Sequence, residues 1–246
     1  MRLTPAGEIM FTEAADMESS AAHIERHISG LDDELTGVVK ISSTEGHATY
    51  WLAPRMVTFQ REHPAILIET VCKDRVVDLG MREADVAIRY VRPDEPRLVA
   101  KKVGVLKLYL FAAQRYIQFS GEPQTYEDLF RHRLVDHTSL NLNPSWSAWS
   151  DLVSKHPAVA FRSNSTSAIV SAIRIGMGIG LLPGYTEEVV PEFVRLRVDL
   201  DCEAEIWLVS HEETNRSARI RVVINHLTQL FEEDRNDWFS DKLRAA

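Results

Sequence analysis

Apolar residues recur with two different periods along this chain. Near the start they fall at Met10, Ala14, Met17, Ala21, Ile24, Ile28, Leu31 and Leu35, in alternating steps of four and three. That spacing is a heptad seam, and it predicts one long helix over residues 5–35 lying against a partner helix. Thr4 suits the N-cap, and Pro5 stands where proline is tolerated, at the first helical position. Ala14 and Ala21 are small enough to let a partner approach closely. The alternative is a single amphipathic helix resting on its own domain. Gly30 is a mild flaw within the helix, and Gly37 ends the region.

Beyond Gly37 the pattern shortens. Val38, Val39 and Ile41 are β-branched and predict a buried strand that runs into Ser42, Ser43 and Thr44. Small hydroxyl residues between a strand and a helix serve as N-caps and as ligand contacts. A helix follows with Leu52, Met56 and Phe59 on one face, Pro54 starting a turn or kink within it, and His63-Pro64 closing it. Ile66–Val71 predicts a second strand, Val76 and Leu79 a short helix, and Asp85–Tyr90 a third strand. Such alternation implies a parallel sheet covered on both faces. Val105–Ala113 predicts another, longer strand.

A second unit is expected from Gln114. Thr125 and Asp128 form a capping-box pattern that opens a helix. Short strands are predicted at Leu134-Val135, Ala158–Phe161 and Ile179–Leu182, with a helix from Ser165 to Ile175. Residues 141–150 read as a polar loop carrying Trp146 and Trp149, which either line a pocket or form a satellite cluster. Val194–Leu200 is extended, Glu205–Ser210 is a strand, and Ser217–Glu232 is a strongly amphipathic helix.

Composition narrows the class. The 246 residues are 45% hydrophobic and 26% charged, as for a protein with a full core, and no apolar run nears the ~20 residues that span a bilayer. The first residues lack the apolar stretch of a secretion signal, and Cys72 and Cys202 stand far apart without metal-ligand spacing. A reducing cytoplasm is the implied compartment. The formal charge of −8 argues against nucleic-acid binding by this chain as a whole.

Candidate chemistry is sparse. Gly176-Met177-Gly178-Ile179-Gly180 follows a helix and precedes a strand, the reverse of a dinucleotide fingerprint, so it reads as a helix stop. His23 and His27 lie one turn apart, but no third ligand is indicated, so a solvated face is expected and no metal or other cofactor is assigned. His132 and His137 are expected at the surface. No nucleophile elbow, Walker loop or catalytic carboxylate pair is present, which favours a binding module over an enzyme.

Leu3-Thr4-Pro5-Ala6-Gly7-Glu8 resembles the end of the winged helix-turn-helix of LysR-type transcriptional regulators, where it leads from the wing into the dimerising linker helix. Further segments are similar in order and spacing: Leu52-Ala53-Pro54 with Phe59 and His63-Pro64; Asp78-Leu79 with Ala84–Arg89; Gly176–Pro183; and Ile206–Val209 with Ser217–Arg221. The resemblance implies an α/β fold of two Rossmann-like lobes, as in periplasmic type 2 binding proteins, behind a long N-terminal linker helix. It assigns residues 1–36 to the wing remnant and linker helix, 37–113 with 205–246 to lobe I, and 114–204 to lobe II. It implies a small-molecule effector in the cleft and a homo-oligomer built through the linker helix. The chain enters the pattern inside the wing, so DNA binding is expected only where the preceding recognition module is present. A free-standing solute-binding protein or an enzyme of the same two-lobe fold are the competing readings. The wing remnant and the heptad helix speak against both.

The expected cleft site places Ser42, Ser43 and Thr44 opposite Asn164, Ser165 and Thr166, with Arg89 and Tyr90 beside them. Both hydroxyl groups precede predicted helices, whose free N–H groups and dipoles favour an anion. A small carboxylate is the expected effector.

Overall fold

A computed structural model of the chain describes residues 4–29, 34–72, 79–80, 83–235 and 238–239. The expectations for Gly30, Leu31 and Val76, and for the side chains of His23, His27 and Ile28, lie outside the described residues.

Helix α1 spans Pro5–Ser29. Thr4 caps it, its Oγ1 accepting from Gly7 N–H at 3.2 Å. Strand β1 is Gly37–Ser43, parallel to β2 (Ile66–Cys72) on one side and to β3 (Val86–Arg89) on the other. Between β1 and β2 the chain is helical from Glu45 to Glu62, in three pieces. Helix α2 is Glu45–His47, Ala48–Leu52 is a π turn, and α3 is Ala53–Glu62. Pro54 explains the widening, because it has no N–H to return to the turn before it.

Strand β4 runs from Leu98 to Ala113, seven residues longer at its start than the apolar pattern suggested. Its early part carries the adjacent Lys101 and Lys102, which the antiparallel pairing with β9 (Glu203–His211) leaves at the surface. Helix α4 (Gln114–Ser120) follows, and the Thr125–Asp128 capping box opens a 3-10 turn at Glu127–Arg131 rather than an α-helix. Strand β5 is Leu134–His137, α5 is Ser147–Lys155, β6 is Val159–Ser163 and α6 is Thr166–Arg174. Strand β7 (Ile179–Pro183), α7 (Thr186–Val189) and β8 (Phe193–Arg195) complete this part, and α8 is Ala218–Glu233.

The strands follow the order β2-β1-β3-β9-β4-β7-β5-β6, with β8 also on β4. Strand β4 pairs with β9 as far as Lys107 and with β7 from Leu108, so one strand serves both halves of the sheet. Each half is a Rossmann-like α/β lobe. The expected cover on both faces is incomplete at the β2 edge, where Leu67 and Val38 are exposed. Helix α6 ends as the glycines predicted. Gly176 has φ +80°, its N–H donates to Ile173 C=O, and Met177 N–H donates to Ala172 C=O. This pair of bonds is the Schellman stop.

The polar loop expected over residues 141–150 is instead two short 3-10 turns leading into α5. Trp149, Leu152 and Val153 form its buried face, and Trp149 Nε1–H donates to Asp136 at 3.0 Å. The expected surface positions of His132 and His137 are also corrected. His132 is buried, its Nδ1 3.3 Å from the Tyr116 hydroxyl, and His137 is half-buried at the end of β5.

Candidate functional site

The residues at the ends of β1, β3 and β5 line one cavity of about 450 Å³. Most of its wall is apolar: Ile88, Leu106, Leu108, Val170, Leu181 and Val189 among others. Tyr50, Tyr90 and Tyr185 also line it, with Trp146 close to Tyr90, their rings 5.5 Å apart. Volume and lining are those of a pocket for a drug-sized molecule.

The corner after β1 carries three of the expected site residues. Ser42, Ser43 and Thr44 all line the cavity. Thr44 caps α2, its Oγ1 accepting from His47 N–H at 3.4 Å. Ser43 is 3% exposed, and its hydroxyl has no hydrogen-bond partner among the described residues. Tyr90 follows β3, and its hydroxyl pairs with His47 Nδ1 at 2.9 Å. Burial lowers the His47 pKa to about 3, with the Arg55 charge adding to the effect, and burial raises that of Tyr90. Both are therefore neutral near pH 7, and the pair is a structural hydrogen bond. Arg89 lines the cavity with its Nη1 3.6 Å from a Glu95 carboxylate oxygen.

The corner before α6 is differently arranged. Asn164 and Thr166 line the cavity, but Ser165 does not. Ser165 caps α6 through its Oγ, which accepts from Ala168 N–H at 3.3 Å. Thr166 Oγ1 lies 3.1 Å from His137 Nε2. The free amides expected to hold an anion already have one. The Glu45 carboxylate accepts from Thr166 N–H at 2.8 Å, Ser167 N–H at 3.2 Å, Ser167 Oγ at 2.6 Å and Ser165 Oγ at 3.3 Å. Partial burial alone would raise the Glu45 pKa, but its bonds to Ser167, Thr166 and Ser165 together outweigh that and lower it. The anion site expected at this helix end is thus filled by the chain's own acid.

Glu45, His47, Tyr50 and Tyr185 escaped the sequence reading. Glu45 left one signal, an acid in the first turn after a cap residue. Its partner in α6 lies more than a hundred residues away. Trp146 lines the cavity, with its Nε1–H unpartnered among the described residues, whereas Trp149 belongs to the core. Among the described residues no group of three His, Cys, Asp or Glu side chains is placed to hold a metal ion.

The seam on α1 is open. Met10, Met17 and Ile24 are 74%, 75% and 58% exposed, and Ala14 and Ala21 are exposed beside them. Among the described residues no helix is long and apolar enough to cross a membrane.

Residues 32–232 match the LysR substrate-binding domain. The chain belongs to that family. An uncharacterized HTH-type transcriptional regulator of Haemophilus influenzae is 24% identical over 209 residues, covering 80% of this chain and 73% of that protein. The HTH-type transcriptional activator TtdR of Escherichia coli is 25% identical over 242 residues, covering 92% of this chain and 74% of TtdR. The regulatory domain of CrgA, a LysR-type transcriptional regulator from Neisseria meningitidis, superposes with a TM-score of 0.68 at 21% identity. That match covers 80% of this chain and 98% of the CrgA domain. These relatives are transcriptional regulators rather than enzymes. The LysR-type chain described here is an effector-binding domain behind a linker helix.

Proposed function

We propose that the cavity binds a small molecule with an apolar body and one anionic head, a carboxylate, and that its occupancy is what the regulator senses. The observation that carries this reading is the contrast within the cavity wall. Most of it is apolar, yet Ser43 presents a buried hydroxyl without a partner among the described residues. An unsatisfied buried hydroxyl is costly, and a ligand acceptor removes that cost. The head group sits against Ser42, Ser43 and Thr44, with Arg89 and Tyr90 at its side, and Asn164 and Thr166 face it. Ser165 contributes through the α6 cap.

The lobes divide as residues 37–113 with 205–246 and residues 114–204. The double pairing of β4 supports a hinge along that strand. The exposed seam Met10–Ile24, whose heptad spacing in the sequence runs on to Ile28 and Leu31, supports a homo-oligomer formed through residues 1–36, because an exposed apolar stripe is unfavourable in water. The naming of TtdR as a transcriptional activator supports a DNA-bound role for the intact regulator, in the cytoplasm.

The test is thermal stabilisation by a panel of monocarboxylates of increasing apolar size. A ligand at a hundred times its dissociation constant adds about 2.7 kcal/mol. The expected outcome is stabilisation of the wild type that weakens in Ser43→Ala. Equal stabilisation of both, or a response only to cations, removes this reading.

A further inference from the structure

We propose that Glu45 determines the charge specificity of the cavity. It occupies the anion seat at the start of α6 from within the chain, and so excludes any ligand that would place an anionic group there. This inference rests on the reading above and deepens it. The effector carries a single anionic head, held on the β1 side.

The geometry of Glu45 points to this role. The residue lies in the turn after β1, yet its carboxylate accepts four hydrogen bonds from the opposite corner, from Ser165, Thr166 and Ser167. Two of the donors are backbone amides of the first turn of α6, the groups a bound carboxylate or sulfate would use. The seat is also tight. A Cβ on Gly46 would come within 3.0 Å of Thr166 Cγ2, so the α2 turn packs directly on the helix end. A second anion brought to that end would find its donors taken and the Glu45 charge at contact distance. Ser43 offers the opposite situation, a donor at the cavity wall to which no described residue supplies an acceptor. One corner is closed to anions and the other is open. A ligand that brings a second carboxylate to the α6 corner is therefore rejected, and a monocarboxylate of similar body is accepted.

The experiment uses the full chain and two probes. The first is inorganic sulfate at constant ionic strength, followed through the backbone amide resonances of Thr166, Ser167 and Ala168. In the wild type these should not saturate. In Glu45→Ala they should saturate at a sulfate concentration at least about tenfold lower. Glu45→Gln, which keeps the side-chain shape, serves as the second variant should Glu45→Ala fail to fold. Identical responses in wild type and variant, or no response in the variant, overturn the proposal. The second probe is the pair benzoate and terephthalate. Stabilisation of the wild type by benzoate alone, with terephthalate gaining in Glu45→Ala, supports it. Equal binding of both acids by the wild type overturns it. If sulfate enters the variant but no aromatic acid binds the wild type, the effector reading fails while the role of Glu45 at the seat stands.

Discussion

The two strand-to-helix corners of the cavity are written alike. One reads Ser42-Ser43-Thr44 and the other Asn164-Ser165-Thr166, and each has a residue that caps a following helix. In the folded chain they differ. The α6 corner is saturated by Glu45 from the opposite corner, while the β1 corner keeps Ser43 without a partner among the described residues. Hydroxyls at a helix start therefore do not define a ligand site by type or spacing. What defines it is which donors the rest of the chain has left unsatisfied, and that is decided by tertiary contact.

The contrast can be pressed hardest with pH. An unfolded histidine titrates near 6.5, whereas buried His47 beside the β1 corner stays neutral down to about 3. Between those values the unfolded chain takes up a proton that the folded chain refuses. Its contribution is fully present above pH 6.5 and lost as pH falls through that window, by up to about 1.4 kcal/mol per pH unit. Urea midpoints measured from pH 7 to 4 should show this slope, and His47→Gln should flatten it. A slope unchanged in the variant would assign the loss to another group. Glu45 behaves differently. Its pKa is lowered, so its bonds persist above 4.5 and weaken only as pH falls through the folded value.

Smaller effects come from removing the bridge itself. Glu45→Ala deletes charge-assisted hydrogen bonds, but the site is partly open and the freed donors can meet water. A loss of about 1–2 kcal/mol is expected, discounted for screening. Chemical denaturation with and without 0.5 M salt checks it, the loss shrinking at high salt.

The finest contrast is between two serines. Ser165→Ala removes an N-cap and should cost about 1 kcal/mol, or roughly 2–4 °C of melting temperature. Ser43→Ala removes a hydroxyl that has no partner among the described residues and should leave the ligand-free protein unchanged or slightly more stable. Calorimetry of the two variants side by side decides this. A larger loss for Ser43→Ala would mean that its hydroxyl is already satisfied.

The parts legible in the sequence are those set by neighbours along the chain. Val39 and Ile41 gave β1, Thr4 gave the start of α1, Gly176 gave the end of α6, and Ser217 the start of α8. Helix α5 was hidden because Ser147, Ser150 and Ser154 dilute a face of only three large apolar residues. The start of β4 was hidden because Lys101 and Lys102 break the apolar pattern that its pairing with β9 does not require. The site was half legible for the same reason. Ser43 and Thr166 could be placed at strand and helix boundaries, but the Glu45 bridge joins positions about 120 residues apart, and no local pattern encodes it.

The position of β9 bears on how the protein is made. It lies between β3 and β4, with Val209 opposite Ala87 on one side and Ala100 on the other. Strands β3 and β4 are neighbours in the chain, yet the strand that joins them is synthesised about 100 residues after β4 begins. At roughly 5–20 residues per second, both edges wait on the order of ten seconds on the ribosome. During that interval β3 and the lysine-bearing start of β4 present unpaired backbone to other chains. Lys101 and Lys102, exposed on that strand, place positive charge along the waiting edge and oppose its pairing with a neighbouring nascent copy.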